Sequence, residues 1–103
     1  MTTNTIITET IAKVKAALTV KTAPSKSIRI DIKEIGTIFA SAEKVVEQDL
    51  SADTTLTISA QHLRELASKQ LNPHMAFLQG KIKIKGDPAY ALQWLPILQW
   101  NGD

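Results

Sequence analysis

The sequence contains no cysteine, which excludes disulfides, thiolate nucleophiles and cysteine-ligated metal sites. Histidine is almost as scarce. His62 and His74 are the two present, and a separation of twelve fits no H-x-x-x-H metal motif. Long apolar runs are missing too, and none approaches the roughly 18 residues of a membrane-spanning helix. Met1-Thr2-Thr3-Asn4-Thr5 lacks the basic start and apolar block of a secretion signal. Trp100-Asn101-Gly102-Asp103 lacks an S-K-L-type address, so a cytoplasmic location is expected. Excess charge is small. A net charge of +2 gives no footing for nucleic-acid binding, which rests on clustered positive charge.

What remains is the composition of one soluble domain. A chain of 103 residues, 44% hydrophobic and 21% charged, has room for a single core and is read as one domain over residues 1–103. The charge is unevenly spread. Residues 1–26 hold four lysines against Glu9, residues 29–53 are acidic, and residues 60–87 are basic again.

The most informative stretch runs from Asn72 to Pro88. Asn72 is a good N-cap, and Pro73 suits the first helical position, where a backbone N–H has no partner anyway. Gly80 supplies a left-handed residue to stop that short helix. Lys81 to Lys85 then alternate with Ile82 and Ile84, the period of a strand with one buried face. Gly86 turns the chain, Asp87 caps, and Pro88 opens another helix.

The other elements follow from the same rules. Ile7, Ile11, Val14 and Leu18 lie on one face of an amphipathic helix from about Thr5 to Leu18. Thr19 to Ser27, with Pro24, is a linker. Ile28 to Lys33 alternates cleanly and reads as a strand. Gly36 is expected at a turn or bulge, Thr37 to Ala40 forms a second strand, and Lys44 to Glu47 a weak third. Asp53 to Ser59 is a fourth, with Leu56 and Ile58 inward and the threonines on the other face. Ser59 caps a helix containing Leu63, Leu66 and Ala67. The last helix, from Pro88, contains Pro96, which is expected to kink or divide it. Together these predict an α+β fold: an antiparallel-rich sheet of about five strands with helices covering one face.

Candidate chemistry is thin. Ser59 is an N-cap without a G-x-S-x-G elbow. Gly80 and Gly86 match no phosphate-loop pattern, and Asp31, Asp49, Asp53 and Glu65 show no spacing of paired catalytic carboxylates. No enzyme activity, metal or cofactor is expected. Met75 and Phe77 read as core residues. Tyr90, Trp94 and Trp100 gather in a final segment without charge between Asp87 and Asp103. That segment reads as a packed helix or as a flap over an apolar site that touches a membrane.

Ala52-Asp53-Thr54-Thr55-Leu56-Thr57-Ile58-Ser59, Leu63-Arg64-Glu65-Leu66-Ala67, Asn72-Pro73 and Phe77-Leu78-Gln79-Gly80-Lys81-Ile82-Lys83-Ile84-Lys85-Gly86-Asp87 resemble the lipid-transfer domain of the sterol carrier protein family. The likeness is sharp from about Ala52 to Leu98 and looser from about Ile28. The missing S-K-L-type ending departs from peroxisomal members. The resemblance implies non-covalent binding, and transfer or presentation, of a fatty acid, acyl-CoA, phospholipid or isoprenoid in an apolar tunnel between sheet and helices. It implies a lipid as partner, with transient membrane contact, and leaves the oligomeric state open. Two alternatives stand beside it: an accessory protein sheltering polyprenyl intermediates of ubiquinone synthesis, and a cavity-free interaction domain. Lys81, Lys83 and Lys85 read either as a charged, solvated strand face or as contacts to phosphates of a headgroup or coenzyme A.

Pattern and resemblance together place the lipid-binding wall. The sheet contributes Ile30, Ile32, Leu56, Ile58, Ile82 and Ile84. The helices contribute Leu66, Phe77, Leu78, Trp94, Leu95 and Leu98. An empty apolar void of about 300 Å³ would cost near 7 kcal/mol at roughly 24 cal/mol per Å³. That rivals the roughly 5–15 kcal/mol stability of a whole domain, so the empty protein is expected to close over its cavity or to stay filled.

Overall fold

Ile28, Ile30 and Ile32 alternate with Arg29 and Asp31, and an extended backbone sends the two sets to opposite faces. The computed structural model, which describes residues 5–98, bears this out in five strands. They are β1 (Ile28–Ile32), β2 (Gly36–Ala40), β3 (Val45–Val46), β4 (Thr54–Ile58) and β5 (Ile82–Gly86), in the spatial order β3-β2-β1-β4-β5. The pairings are antiparallel except β1 with β4, which is parallel. Four helices complete the fold: α1 (Thr5–Leu18), α2 (Ala60–Ala67), α3 (Pro73–Leu78) and α4 (Pro88–Leu98).

Register turns alternation into two surfaces. Ile38, Ile30, Leu56 and Ile84 line up across four strands, and beside them run Gly36, Ile32, Ile58 and Ile82. These rows face the helices. The opposite face carries Phe39, Arg29, Thr55 and Lys85, then Thr37, Asp31, Thr57 and Lys83. Helix α4 packs across β1, β4 and β5, α1 packs on β2, β3 and α4, and α3 packs on the edge strand β5.

The helix boundaries are set by local hydrogen bonds. Ser59 Oγ accepts from the His62 N–H at 3.1 Å, Asn72 Oδ1 from Met75 at 3.1 Å, and Asp87 Oδ1 from Ala89 at 2.9 Å. Each satisfies an N–H that the helix itself leaves unpaired. At the end of α3, Gly80 has φ 77°. The Lys81 N–H reaches the Ala76 carbonyl at 2.9 Å, a Schellman closure. Helix α2 ends in the same way, with Gln70 donating to Glu65 at 2.8 Å, but Lys69 occupies the left-handed position at φ 66°.

Several expectations need correction. Gly36 is not the turn residue. Glu34 adopts the positive φ, 65°, in a tight turn closed by the Ile35 N–H and the Ile32 carbonyl at 3.0 Å. Gly36 instead makes room for α1, because a Cβ there would sit 2.9 Å from Ile7 Cδ1. Thr54 does not share the outer face with Thr55 and Thr57. Its parity is that of Leu56, and it is buried, with its hydroxyl donating to the Lys85 carbonyl at 3.2 Å. Pro96 does not divide α4, which runs unbroken from Pro88 to Leu98. Met75 is not a core residue; it is 49% exposed. Trp100 lies outside the described residues.

Candidate functional site

The wall is built where the isoleucine rows meet the helices. Ile30, Ile32, Leu56, Ile58 and Ile82 are buried on the sheet side, and Leu66, Trp94, Leu95 and Leu98 on the helix side. All nine belong to one contiguous apolar cluster, with Ile84 packed against it half-buried. Phe77 is half-buried. Leu78 stands apart, 76% exposed. The six-residue α3 rests on β5 through the buried Ala76 and turns Leu78 to solvent. Ile28, Leu63, Ala91 and Ile97 also belong to the cluster but were absent from the sequence-derived wall. Ile28 begins the alternation already read as β1, and Ile97 was obscured by the expected break at Pro96.

Among the described residues, the buried polar side chains are Thr10 and Thr54, and no charged side chain is buried. The wall therefore offers apolar contact. His62 is half-buried and His74 exposed, each on its own helix. Among the described residues, no group of three or more His, Asp or Glu is placed to hold a metal.

Two long-range hydrogen bonds hold α4 over the wall. Trp94 Nε1 donates to the Lys26 carbonyl at 2.7 Å, and Lys21 Nζ donates to the Pro96 carbonyl at 2.7 Å. Both partners lie in the linker between α1 and β1. A lysine at the carbonyl end of a helix also complements the negative end of its dipole. Proline at 96 has no N–H, so the Leu92 carbonyl loses its usual intrahelical donor and the last turn is weakened. Sequence reasoning missed Lys21 and Lys26, because contacts 75 and 68 residues apart leave no local signature.

The outer face holds a different feature. An open groove of about 670 Å³ lies over Arg29, Asp31, Asp53, Thr55, Thr57 and Lys85, among others. Its acids are already engaged. Asp31 Oδ1 accepts from Arg29 Nε at 2.9 Å and from the Thr37 hydroxyl at 3.0 Å. Asp53 accepts from the Ser27 N–H at 2.9 Å and the Ser27 hydroxyl at 3.1 Å, which together hold its carboxyl below the usual value. Arg29 also pairs with Asp49. Its guanidinium is raised above its ordinary value, most by the hydrogen bond to Asp31. With two cations and two carboxylates in its lining, the groove favours no ligand of one charge.

An apolar layer between helices and a mostly antiparallel sheet is a two-layer α+β architecture, and solved structures share it. The crystal structure of Sterol Carrier Protein 2 Like 2 from Aedes aegypti matches 93% of this chain and 95% of its own, with a TM-score of 0.72 and 24% identity. A solution structure of the same mosquito protein, described as palmitated, matches with a TM-score of 0.72 over 92% of each chain, also at 24% identity. The UbiJ ubiquinone synthesis protein matches 92% of this chain and 84% of its own, with a TM-score of 0.55 and 20% identity. By sequence, Sterol carrier protein 2 of Gallus gallus is 40% identical over 48 residues, 47% of this chain. The match spans only 9% of the chicken protein's length. The model of the SCP-2 sterol transfer family matches residues 4–99. The chain belongs to that family.

Proposed function

We propose that this protein binds a single-chain or branched lipid non-covalently between the inner sheet face and helix α4, and carries or presents it. The observation that carries this reading is the apolar wall: two rows of Ile and Leu across β1, β4 and β5, faced by Trp94, Leu95 and Leu98, with no charged side chain buried among the described residues. Palmitate accompanies the mosquito relative's fold, and family membership makes the same ligand class the natural one here. Burying each CH₂ is worth about 0.8 kcal/mol, so a long alkyl chain needs no charged partner to be held.

Helix α4 packs over the wall, so loading requires α4 to move away from the sheet. Pro96 weakens its last turn, and the two bonds to the linker set the resistance. The ligand replaces helix–sheet contacts as it enters. An accessory role toward polyprenyl intermediates uses the same wall and differs only in the lipid recovered. Trp94 provides the test. In a Trp100→Phe background, titration with brominated palmitate should quench Trp94 fluorescence to saturation near one equivalent. Saturable binding that leaves Trp94 unquenched would place the ligand elsewhere. Pro96→Ala should slow exchange of the bound fatty acid; unchanged exchange rejects α4 as the moving element.

A further inference from the structure

The linker between α1 and β1 holds α4 and is itself fastened to the sheet. The last four carbonyls of a helix lack an intrahelical donor, and Lys21 Nζ supplies one to Pro96 at 2.7 Å. Lys26 meets the helix nearer its start. Its ammonium lies 5.5 Å from the centre of the Tyr90 ring, a cation–π distance, and its carbonyl accepts from Trp94 Nε1 at 2.7 Å. Trp94 is fully buried, so this carbonyl is the partner its indole N–H requires. The next residue is clasped to the start of β4. Ser27 donates to Asp53 Oδ2 through its N–H at 2.9 Å and its hydroxyl at 3.1 Å, and the Asp53 N–H donates back to that hydroxyl at 3.1 Å. Asp53 lines the groove of the outer face, not the lipid wall.

One peptide group joins the two sets of bonds. The Lys26 carbonyl and the Ser27 N–H belong to the same planar unit and point in opposite directions, one to Trp94 and the other to the Asp53 carboxylate. A carboxylate on the N–H fixes the plane and polarises it, which strengthens the carbonyl as an acceptor. We infer that Asp53 and Ser27 are positioning residues for α4: through the Lys26–Ser27 peptide they hold Trp94 over the wall and set how fast a bound lipid exchanges. The effect on exchange rests on the carrier reading, whereas the hold on Trp94 is tested without any lipid.

The experiment uses the full chain in a Trp100→Phe background, where Trp94 is the sole indole. NMR follows the indole proton's resonance and its exchange with solvent in lipid-free protein, and fluorescence follows release of brominated palmitate. Asp53→Ala and Ser27→Ala should each shift the resonance upfield and speed indole exchange about three- to tenfold, the scale of one net hydrogen bond. Release of palmitate should quicken by a similar factor. Ser27→Thr keeps the hydroxyl and should retain the natural behaviour. Thr57→Val, in the same groove but off the clasp, should change none of these. An indole signal that neither alanine variant moves overturns the inference. So does an acceleration shared equally by the backbone amides of Ile30 and Leu56, which would report lost global stability alone. Faster indole exchange with unchanged palmitate release overturns it as well. Saturable lipid binding with an unmoved indole defeats the clasp only; a moved indole in a chain that takes up no lipid defeats the carrier reading only.

Discussion

Leu56 and Thr57 are neighbours in the chain, yet they belong to two different surfaces. Leu56 is buried in a row that reads Ile38, Ile30, Leu56, Ile84; Thr57 is half-buried in one that reads Thr37, Asp31, Thr57, Lys83. The inner face holds aliphatic carbon against helices, and its contribution is apolar area removed from water. The outer face holds charges that neutralise one another and hydroxyls in contact with solvent. Substitution should therefore be costly on one side of the sheet and nearly silent on the other, within a single strand.

Leu56→Ala should lower stability by about 2–5 kcal/mol, since a packed row cannot fully collapse over the missing atoms. Urea denaturation measures it, and a cost near that of an outer-face change would dissolve the contrast. Gly36→Ala sharpens the inner-face side. A Cβ there meets Ile7 Cδ1 at 2.9 Å, and shifting a buried side chain should cost about 1–3 kcal/mol. Lys69→Gly, at a helix end remote from both rows, should instead stabilise by about 0.5–1 kcal/mol, because glycine adopts the left-handed conformation without a clash. Thr57→Val, on the outer face, should stay within about 0.5 kcal/mol in either direction.

The outer face also carries the acid response. Asp53 holds its proton less readily when folded, owing first to the Ser27 N–H and then to the Ser27 hydroxyl. The unfolded chain therefore binds more protons as the pH falls below the ordinary carboxylate value, about 4. Stability from this group is full above that value and is lost as pH falls through the lowered folded value. In Asp53→Asn, the acid limb of the stability curve should become shallower; an unchanged limb would remove Asp53 from the account.

The same contrast explains what was legible in the chain. The strands and caps are local. Ile28-Arg29-Ile30-Asp31-Ile32 states its two faces in five residues, and Ser59, Asn72 and Asp87 each bind an N–H two or three positions away. The parallel pairing of β1 with β4 was not legible, because no residue in either strand records its neighbour. Leu78 was placed in the wall because six residues define a helical face poorly, and a rotation error of about half a turn moves a side chain from core to solvent. Gly36 was read as a turn because its real constraint, the approach of Ile7 from another element, is non-local. Lys21 and Lys26 were invisible for the same reason, although they hold α4 in place.

The role proposed for the apolar wall is to hold a lipid. Native mass spectrometry of the purified protein, before and after incubation with mixed fatty acids, acyl-CoA, phospholipids and isoprenoids, tests it most directly. A stoichiometric adduct is expected, with its mass recovered as a lipid on solvent extraction. An apo mass that no lipid in the mixture changes would contradict it, and would leave the wall as the core of an interaction domain.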